Sequence, residues 1–205
     1  MNVLVVGYGS IGKRHIKNLS KFPNMNIFVC TNRKYDSFLK NKKCKLFNSL
    51  DECINEKPDI AFITNTTNLH VKTAIKLANA NIHIFIEKPI AKTVLEAEAI
   101  RTLASQYHVI GQVGHVERFN PAFIAAKGMI DNPMFIETHR LAEFNPRGTD
   151  VPVVLDLMIH DIDIILSVVK SKVINVHASG ISVISETPDI ANARIEFENG
   201  CVANL

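Results

Sequence analysis

The 205-residue chain has no low-complexity stretch and no uninterrupted apolar run of about 18 residues, which argues against disorder and against a membrane-spanning helix. It enters strand-like sequence at once, without the charged, then apolar, then small-residue order of a secretory leader. Its four cysteines, Cys30, Cys44, Cys53 and Cys201, show no C-x-x-C spacing and read as buried thiols of a reducing compartment. No H-E-x-x-H or two-histidine-one-carboxylate pattern is legible around His115, Glu117 or His160, so no metal is expected. The G-x-S-x-G elbow of a serine hydrolase is missing as well. A soluble, cytoplasmic protein with no membrane partner is the expectation.

What is present is ordinary globular composition: 47% apolar residues, 9 glycines and 8 prolines. The formal charge of +3 gathers early, in Lys13, Arg14, Lys17 and Lys21 and in Lys40, Lys42, Lys43 and Lys45. No aromatic residues interleave with these charges, so they read as a solvated face and no nucleic-acid partner is expected.

Short β-rich runs at residues 3–6, 26–31, 44–47, 60–64, 83–86 and 109–113 alternate with helical stretches at 11–21, 37–40, 50–55, 69–79 and 94–107. These strands lack a polar face, as strands do when helices cover both sides of a parallel sheet. The expected fold is α/β, with an N-terminal Rossmann doubly wound parallel sheet over residues 1–114. After Gly114 the pattern changes. A helix enters through Asn120 and Pro121, a strand covers residues 134–141, and a loop carries Pro146, Gly148 and Pro152. An apolar helix over 154–169 precedes period-two runs at 173–184, 191–197 and 201–205, the last two joined by a turn at Asn199-Gly200. Residues 115–205 thus read as an α+β domain with an antiparallel open sheet. Its last strand has no return partner, so the expectation is an incomplete sheet and a truncated chain.

"VLVVGYGSIGKRHI" sets Gly7, Gly9 and Gly12 in G-x-G-x-x-G spacing between the first strand and the first helix, with Ser10 and Ile11 opening that helix. In such a loop the first glycine allows the tight turn, the second lets a pyrophosphate approach, and the third permits close helix packing. The helix N-terminus adds N–H donors and positive potential. A ribose-binding carboxylate is normally found about 20 residues on; here stand Cys30, Thr31, Asn32 and Arg33. Without that carboxylate a 2'-phosphate is not repelled, and Arg33 is placed to pair with one. The alternative is that Arg33 points into solvent and Asn32 bonds the ribose hydroxyls. NAD and NADP both stay open.

Two further clusters carry polar chemistry in apolar surroundings. "EKPIAK" delivers Glu87, Lys88 and Pro89 to the end of the fifth strand, on the sheet edge where the glycine loop also lies. In "VVLDLMIHDIDIILSVV", Asp156, His160 and Asp163 fall at i, i+4 and i+7, one stripe of a regular helix, with Asp161 turned away. Either these groups satisfy one another or they face a cleft, where a carboxylate one turn from a histidine orients the ring and stabilises its protonated form.

The glycine loop, Glu87-Lys88-Pro89 and Asp156-x-x-x-His160, in that order, resemble the glucose-fructose oxidoreductase / inositol dehydrogenase (Gfo/Idh/MocA) family of NAD(P)-dependent enzymes. The run "TNTTNLHVKTAIKLANANIHIFIEKPIAK" is similar along its length, with Asn68 and His70 in matching places. "GQVGHVERFNPAF" and "RGTDVPVVLDLMIHDID" look most like the sugar-nucleotide branch, the UDP-N-acetylglucosamine 3-dehydrogenase-like members. The resemblance implies that Gly7, Gly9 and Gly12 hold the pyrophosphate; Ser10 and Ile11, and Thr31, Asn32 and Arg33 at the ribose position, are the further cofactor-binding candidates. It implies that Asn68, His70 and Glu87 line the cofactor cleft and that Lys88 lies beside the nicotinamide. Arg118, Asn120, Asp156 and His160 are expected on the substrate side with Lys88. The reaction implied is hydride transfer with a secondary hydroxyl of a sugar or nucleotide sugar, either His160 (oriented by Asp156) or Lys88 moving the proton. Homo-oligomerisation through the C-terminal sheet is implied if that sheet is complete. Thr66 departs from the family's common proline, Thr31 from its ribose carboxylate, and the early C-terminus from its larger sheet. A non-catalytic NAD(P)-binding sensor or an inactive fragment is the rival expectation.

Overall fold

The computed structural model describes residues 1–143 and 151–205, so Pro146 and Gly148 of the expected loop lie outside the described residues. Two compact units divide the chain, Met1–Gly114 and His115–Leu205.

The first unit runs β1 (Asn2–Val6), α1 (Ser10–Leu19), β2 (Asn26–Cys30), α2 (Ser37–Asn41), β3 (Lys45–Phe47), α3 (Leu50–Asn55) and β4 (Ile60–Ile63). A 3-10 turn (Thr67–Leu69), α4 (His70–Asn79), β5 (His83–Glu87), α5 (Val94–Gln106) and β6 (Gly111–Gly114) complete it. The sheet order is β3-β2-β1-β4-β5-β6 and every pairing is parallel. Strand β1 explains why both faces are covered. Val3 and Val5 pack with Ile16 and Leu19 of α1 and Leu39 of α2, whereas Leu4 and Val6 pack on the other side with Cys53, Leu77 and Ile100. Each such buried aliphatic side chain contributes roughly 1.5–3 kcal/mol, so the alternation along a single strand fixes two helical layers. The chain order reverses between β1 and β4, a switch point of the kind beside whose C-terminal strand ends ligands of open α/β sheets bind.

The second unit contains a 3-10 turn (Val116–Phe119), α6 (Pro121–Lys127), β7 (Phe135–Glu137), a π-helical segment (Val154–Met158), α7 (Ile159–Val168), β8 (Val173–Ile181), β9 (Ile190–Phe197) and β10 (Val202–Asn204). Its sheet order is β7-β10-β9-β8. The period-two runs do form antiparallel pairs, β8 with β9 and β9 with β10, and Gly200 makes the connecting turn at φ +86°. Strand β7, however, lies parallel to β10, so the sheet is mixed rather than wholly antiparallel. Alternation reports which face a residue occupies, and says nothing of which strand will be its neighbour. Ile165 and Val169 of the helical layer pack on Ile195, Phe197, Cys201 and Ala203 to form this unit's core.

Candidate active site

The glycine loop departs from ordinary backbone where its task requires it. Gly7 has φ +104°, and a Cβ there would lie 2.7 Å from the Asn65 amide nitrogen. A Cβ on Gly12 would collide with the Gly7 carbonyl and stand 2.9 Å from Thr64 Oγ1. Thr64 pins the loop from β4, its hydroxyl donating to the carbonyls of Val6 and Gly7 at 3.0 and 3.1 Å. Gly9 is the opposite case: a Cβ there would meet nothing within 4 Å. Gly9 is also the N-cap of α1, which has no side-chain cap and no acidic residue in its first turn. The first N–H groups of that helix, at Ser10, Ile11 and Gly12, have no acceptor further back in the helix and give its start a positive potential, beside the open space over Gly9. A pyrophosphate fits these residues by shape and by sign.

At the end of β2, the Thr31 amide donates to the Phe47 carbonyl at 3.0 Å and its hydroxyl accepts from the Arg33 amide at 3.1 Å. Asn32 and Arg33 are exposed. The next carboxylate along the chain, Asp36, is already engaged. The Tyr8 hydroxyl donates to it at 2.8 Å, the Leu39 amide at 3.0 Å, and Lys13 Nζ lies at 3.5 Å. The Leu39 N–H, then the Tyr8 hydroxyl, hold its carboxyl below the usual range, while burial and Asp36 push the Tyr8 phenol up. Asp36 thus caps α2 and ties it to the glycine loop, a link that the sequence does not announce.

The end of β5 is held by two histidines. His15 of α1 puts Nε2 2.6 Å from Glu87 Oε1, both side chains largely buried. Its ring packs on Phe62 and Phe85 at centroid distances of 5.0 and 5.3 Å. His15 was not among the expected site residues. Its signal is positional, since Gly12, His15, Ile16 and Leu19 form the inward stripe of α1, and a histidine there needs a partner. His70, expected to line the cleft, is 1% exposed. Its Nδ1 lies 3.0 Å from the Pro89 carbonyl and 3.3 Å from that of Ile90, and its Nε2 3.1 Å from that of Asn65. Lys88 is half-buried at the head of this segment, and Asn68 is exposed in the 3-10 turn before α4.

In the second unit Asp156 belongs to the π-helical segment and His160 to α7, both half-buried. The expected i, i+4, i+7 stripe assumed one regular α-helix over 154–169. The wider π turn at its start breaks that register. Asp163 is buried and accepts from Arg118 Nε and Nη2 at 2.7 and 2.6 Å, with His115 Nδ1 3.7 Å away. Asp161 accepts from Arg140 Nε and Nη2, both at 2.8 Å. Each guanidinium is held in its charged form chiefly by that bidentate carboxylate. Arg118 and Asn120 were both expected on the substrate side. Arg118 is exposed and clasps Asp163, while Asn120 caps α6 by accepting from the Ala122 amide at 3.0 Å.

Among the described residues no group of three histidine, cysteine, aspartate or glutamate side chains is placed to hold a metal ion. No helix among them is long and apolar enough to cross a membrane.

Comparison with known proteins agrees with this geometry. Residues 1–115 match the family model described as oxidoreductase family, NAD-binding Rossmann fold, and residues 124–205 match the GFO/IDH/MocA C-terminal domain. UDP-N-acetylglucosamine 3-dehydrogenase from Acidithiobacillus ferrooxidans is 30% identical over 100% of this chain and 66% of its own length. Its crystal structure superimposes with a TM-score of 0.90, covering 100% of this chain and 68% of that one. Myo-inositol 2-dehydrogenase from Thermotoga maritima is 24% identical over 98% of this chain and 66% of its own length. The structure of scyllo-inositol dehydrogenase from Lactobacillus casei with bound NAD(H) and scyllo-inositol, 23% identical, shares the fold at a TM-score of 0.84, over 100% of this chain and 68% of that one. The chain thus spans just under two thirds of the length of these curated relatives. With a glycine loop built for a dinucleotide and both domain models matched, the chain belongs to the Gfo/Idh/MocA family of oxidoreductases with an NAD-binding Rossmann fold.

Proposed function

We propose that the chain binds NAD(H) or NADP(H) at the crevice above β1 and β4 and takes part in oxidation or reduction of a secondary hydroxyl on a sugar or nucleotide sugar. UDP-N-acetylglucosamine, oxidised at C3, is the leading substrate, because the relative with 30% identity carries that name. The observation that carries the cofactor assignment is the open space over Gly9 at the uncapped N-terminus of α1, between two glycines that tolerate no side chain. The nicotinamide, when bound, takes up or gives back the hydride.

The chain's own residues supply the rest. His160, with Asp156 to orient it, removes the hydroxyl proton, and Lys88 stabilises the alkoxide that develops. The roles reverse if Lys88 is the neutral partner, and Lys88 then takes the proton. Arg33 sits at the ribose end, where no unengaged carboxylate follows β2. The four free thiols support a reducing, cytoplasmic setting. Assembly of like subunits through the second sheet belongs to the same proposal.

The test is to follow nicotinamide absorbance with NAD and with NADP against UDP-N-acetylglucosamine, other nucleotide sugars and inositols. Turnover with a nucleotide sugar supports the proposal. Dinucleotide binding without turnover on any member of the panel favours a cofactor-binding sensor instead.

A further inference from the structure

Lys88 is preceded by Glu87 and followed by Pro89 and Ile90, and each flank is held by a histidine on a different helix. On one side His15 Nε2 reaches Glu87 Oε1 at 2.6 Å, within an aromatic nest of Phe62 and Phe85. On the other, His70 Nδ1 reaches the carbonyls of Pro89 and Ile90, and Nε2 that of Asn65. Carbonyl oxygens only accept. A neutral imidazole has a single N–H, so it bonds one side of this bracket, and only the imidazolium bonds both.

The same contacts lead back to the glycine loop. The Asn65 amide nitrogen is what Gly7 must leave room for, and His15 stands on the helix that the loop opens. Stacked on a sheet whose strands β1, β4 and β5 run in register, these bonds make one connected frame of the phosphate cradle and the lysine.

We propose that His15 and His70 are positioning residues for Lys88, the two clasps that hold its neighbours to α1 and α4 and so set where its ammonium stands relative to the cofactor cradle. The inference rests on the proposed role of Lys88. Neither histidine touches substrate in this account. Displacing a reacting group by about 1 Å costs on the order of 100-fold in rate, so a clasp of this kind is felt in turnover before it is felt in cofactor affinity.

Amide side chains separate the contacts. Glutamine places its NH2 near the Nε2 position and asparagine near Nδ1. His15→Gln keeps the donor to Glu87 and His15→Asn loses it; His70→Asn keeps the bond to Pro89 and His70→Gln loses it. The full chain in each form is tested for NADH and NADPH affinity by fluorescence, for Lys88 acetylation rate by mass spectrometry against the other lysines, and for turnover. In His15→Asn and His70→Gln, dinucleotide affinity is expected to stay within about threefold, the relative labelling rate of Lys88 to change about tenfold, and turnover to fall about 10- to 100-fold. His15→Gln and His70→Asn are expected to stay close to the unmodified chain. Equal Lys88 labelling across all four variants overturns the proposal, because a histidine needed only for stability would not distinguish the two amides. The histidines are tested separately, so loss of fold in one pair leaves the other to decide. Lys88→Ala is the control: full turnover in that variant removes Lys88 from the chemistry, while the labelling pattern still judges the clasps.

Discussion

His15 Nε2 and Glu87 Oε1 stand 2.6 Å apart although 72 residues separate them in sequence. The bond joins the helix that the glycine loop opens to the strand end that carries Glu87 and, next to it, Lys88. Parallel topology makes the meeting possible, since β1, β4 and β5 all end on the same edge of the sheet. The glycine loop, α1 and the end of β5 thus form one frame, and each part of it has a measurable consequence.

The glycines of the loop separate stability from binding. Gly9→Ala is expected to leave the melting temperature nearly unchanged, because its methyl meets no atom within 4 Å, and to weaken NAD(H) binding. Gly12→Ala should lower stability by roughly 1–3 kcal/mol despite alanine's better helix propensity, since its methyl strikes the Gly7 carbonyl. Thermal melts and a dinucleotide titration on both variants check the split.

Asp163 is buried and depends on Arg118 for its charge balance. Arg118→Ala is expected to destabilise the second unit by about 1–2 kcal/mol, less than a fully buried pair because the guanidinium is half in water. Asp163→Asn should cost less, its amide oxygen still accepting from Arg118. Urea unfolding curves of the two variants check the order.

The loop between β8 and β9 carries an acid-sensitive contact. Asp189 accepts from the amides of Val183, Ile184 and Ser185 and from the Ser185 hydroxyl, and these bonds hold its pKa well below the ordinary carboxylate value. A depressed folded-state pKa stabilises fully above the unfolded value, about pH 4, and the contribution fades as pH falls from there through the folded pKa. Asp189→Asn is thus expected to melt below the unmodified chain at neutral pH, with the gap narrowing in acid.

With Arg33 facing the ribose, as proposed, Arg33→Ala is expected to weaken NADPH more than NADH. The 2'-phosphate offers a guanidinium a charge-assisted bond that a hydroxyl does not. Parallel titrations with the two dinucleotides read the difference.

The first unit was legible because strands buried on both faces appear as plain apolar runs and the glycine loop marks where they turn into helix. Boundaries moved by a residue or two; residues 109 and 110 precede β6, which begins at Gly111. The second unit was less legible. The apolar pattern over 154–169 is equally compatible with α and π turns, and no local feature distinguishes the parallel β7–β10 pair from an antiparallel one. Among site residues, motif spacing pointed to Gly7, Gly9, Gly12, Lys88, Asp156 and His160. It missed His15 and Tyr8, whose partners Glu87 and Asp36 lie 72 and 28 residues away. His70, placed in the cofactor cleft by the family resemblance, has its ring nitrogens against main-chain carbonyls, contacts that no motif announces.

As proposed, one of Lys88 and His160 moves the proton and the other steadies the alkoxide, while the glycine loop holds the cofactor. The most direct test is the turnover of Lys88→Ala and His160→Ala with UDP-N-acetylglucosamine, measured beside their NADH affinities. Each substitution is expected to lower turnover by at least about 100-fold with affinity changed less than about threefold. Near-native turnover in both variants would contradict this assignment.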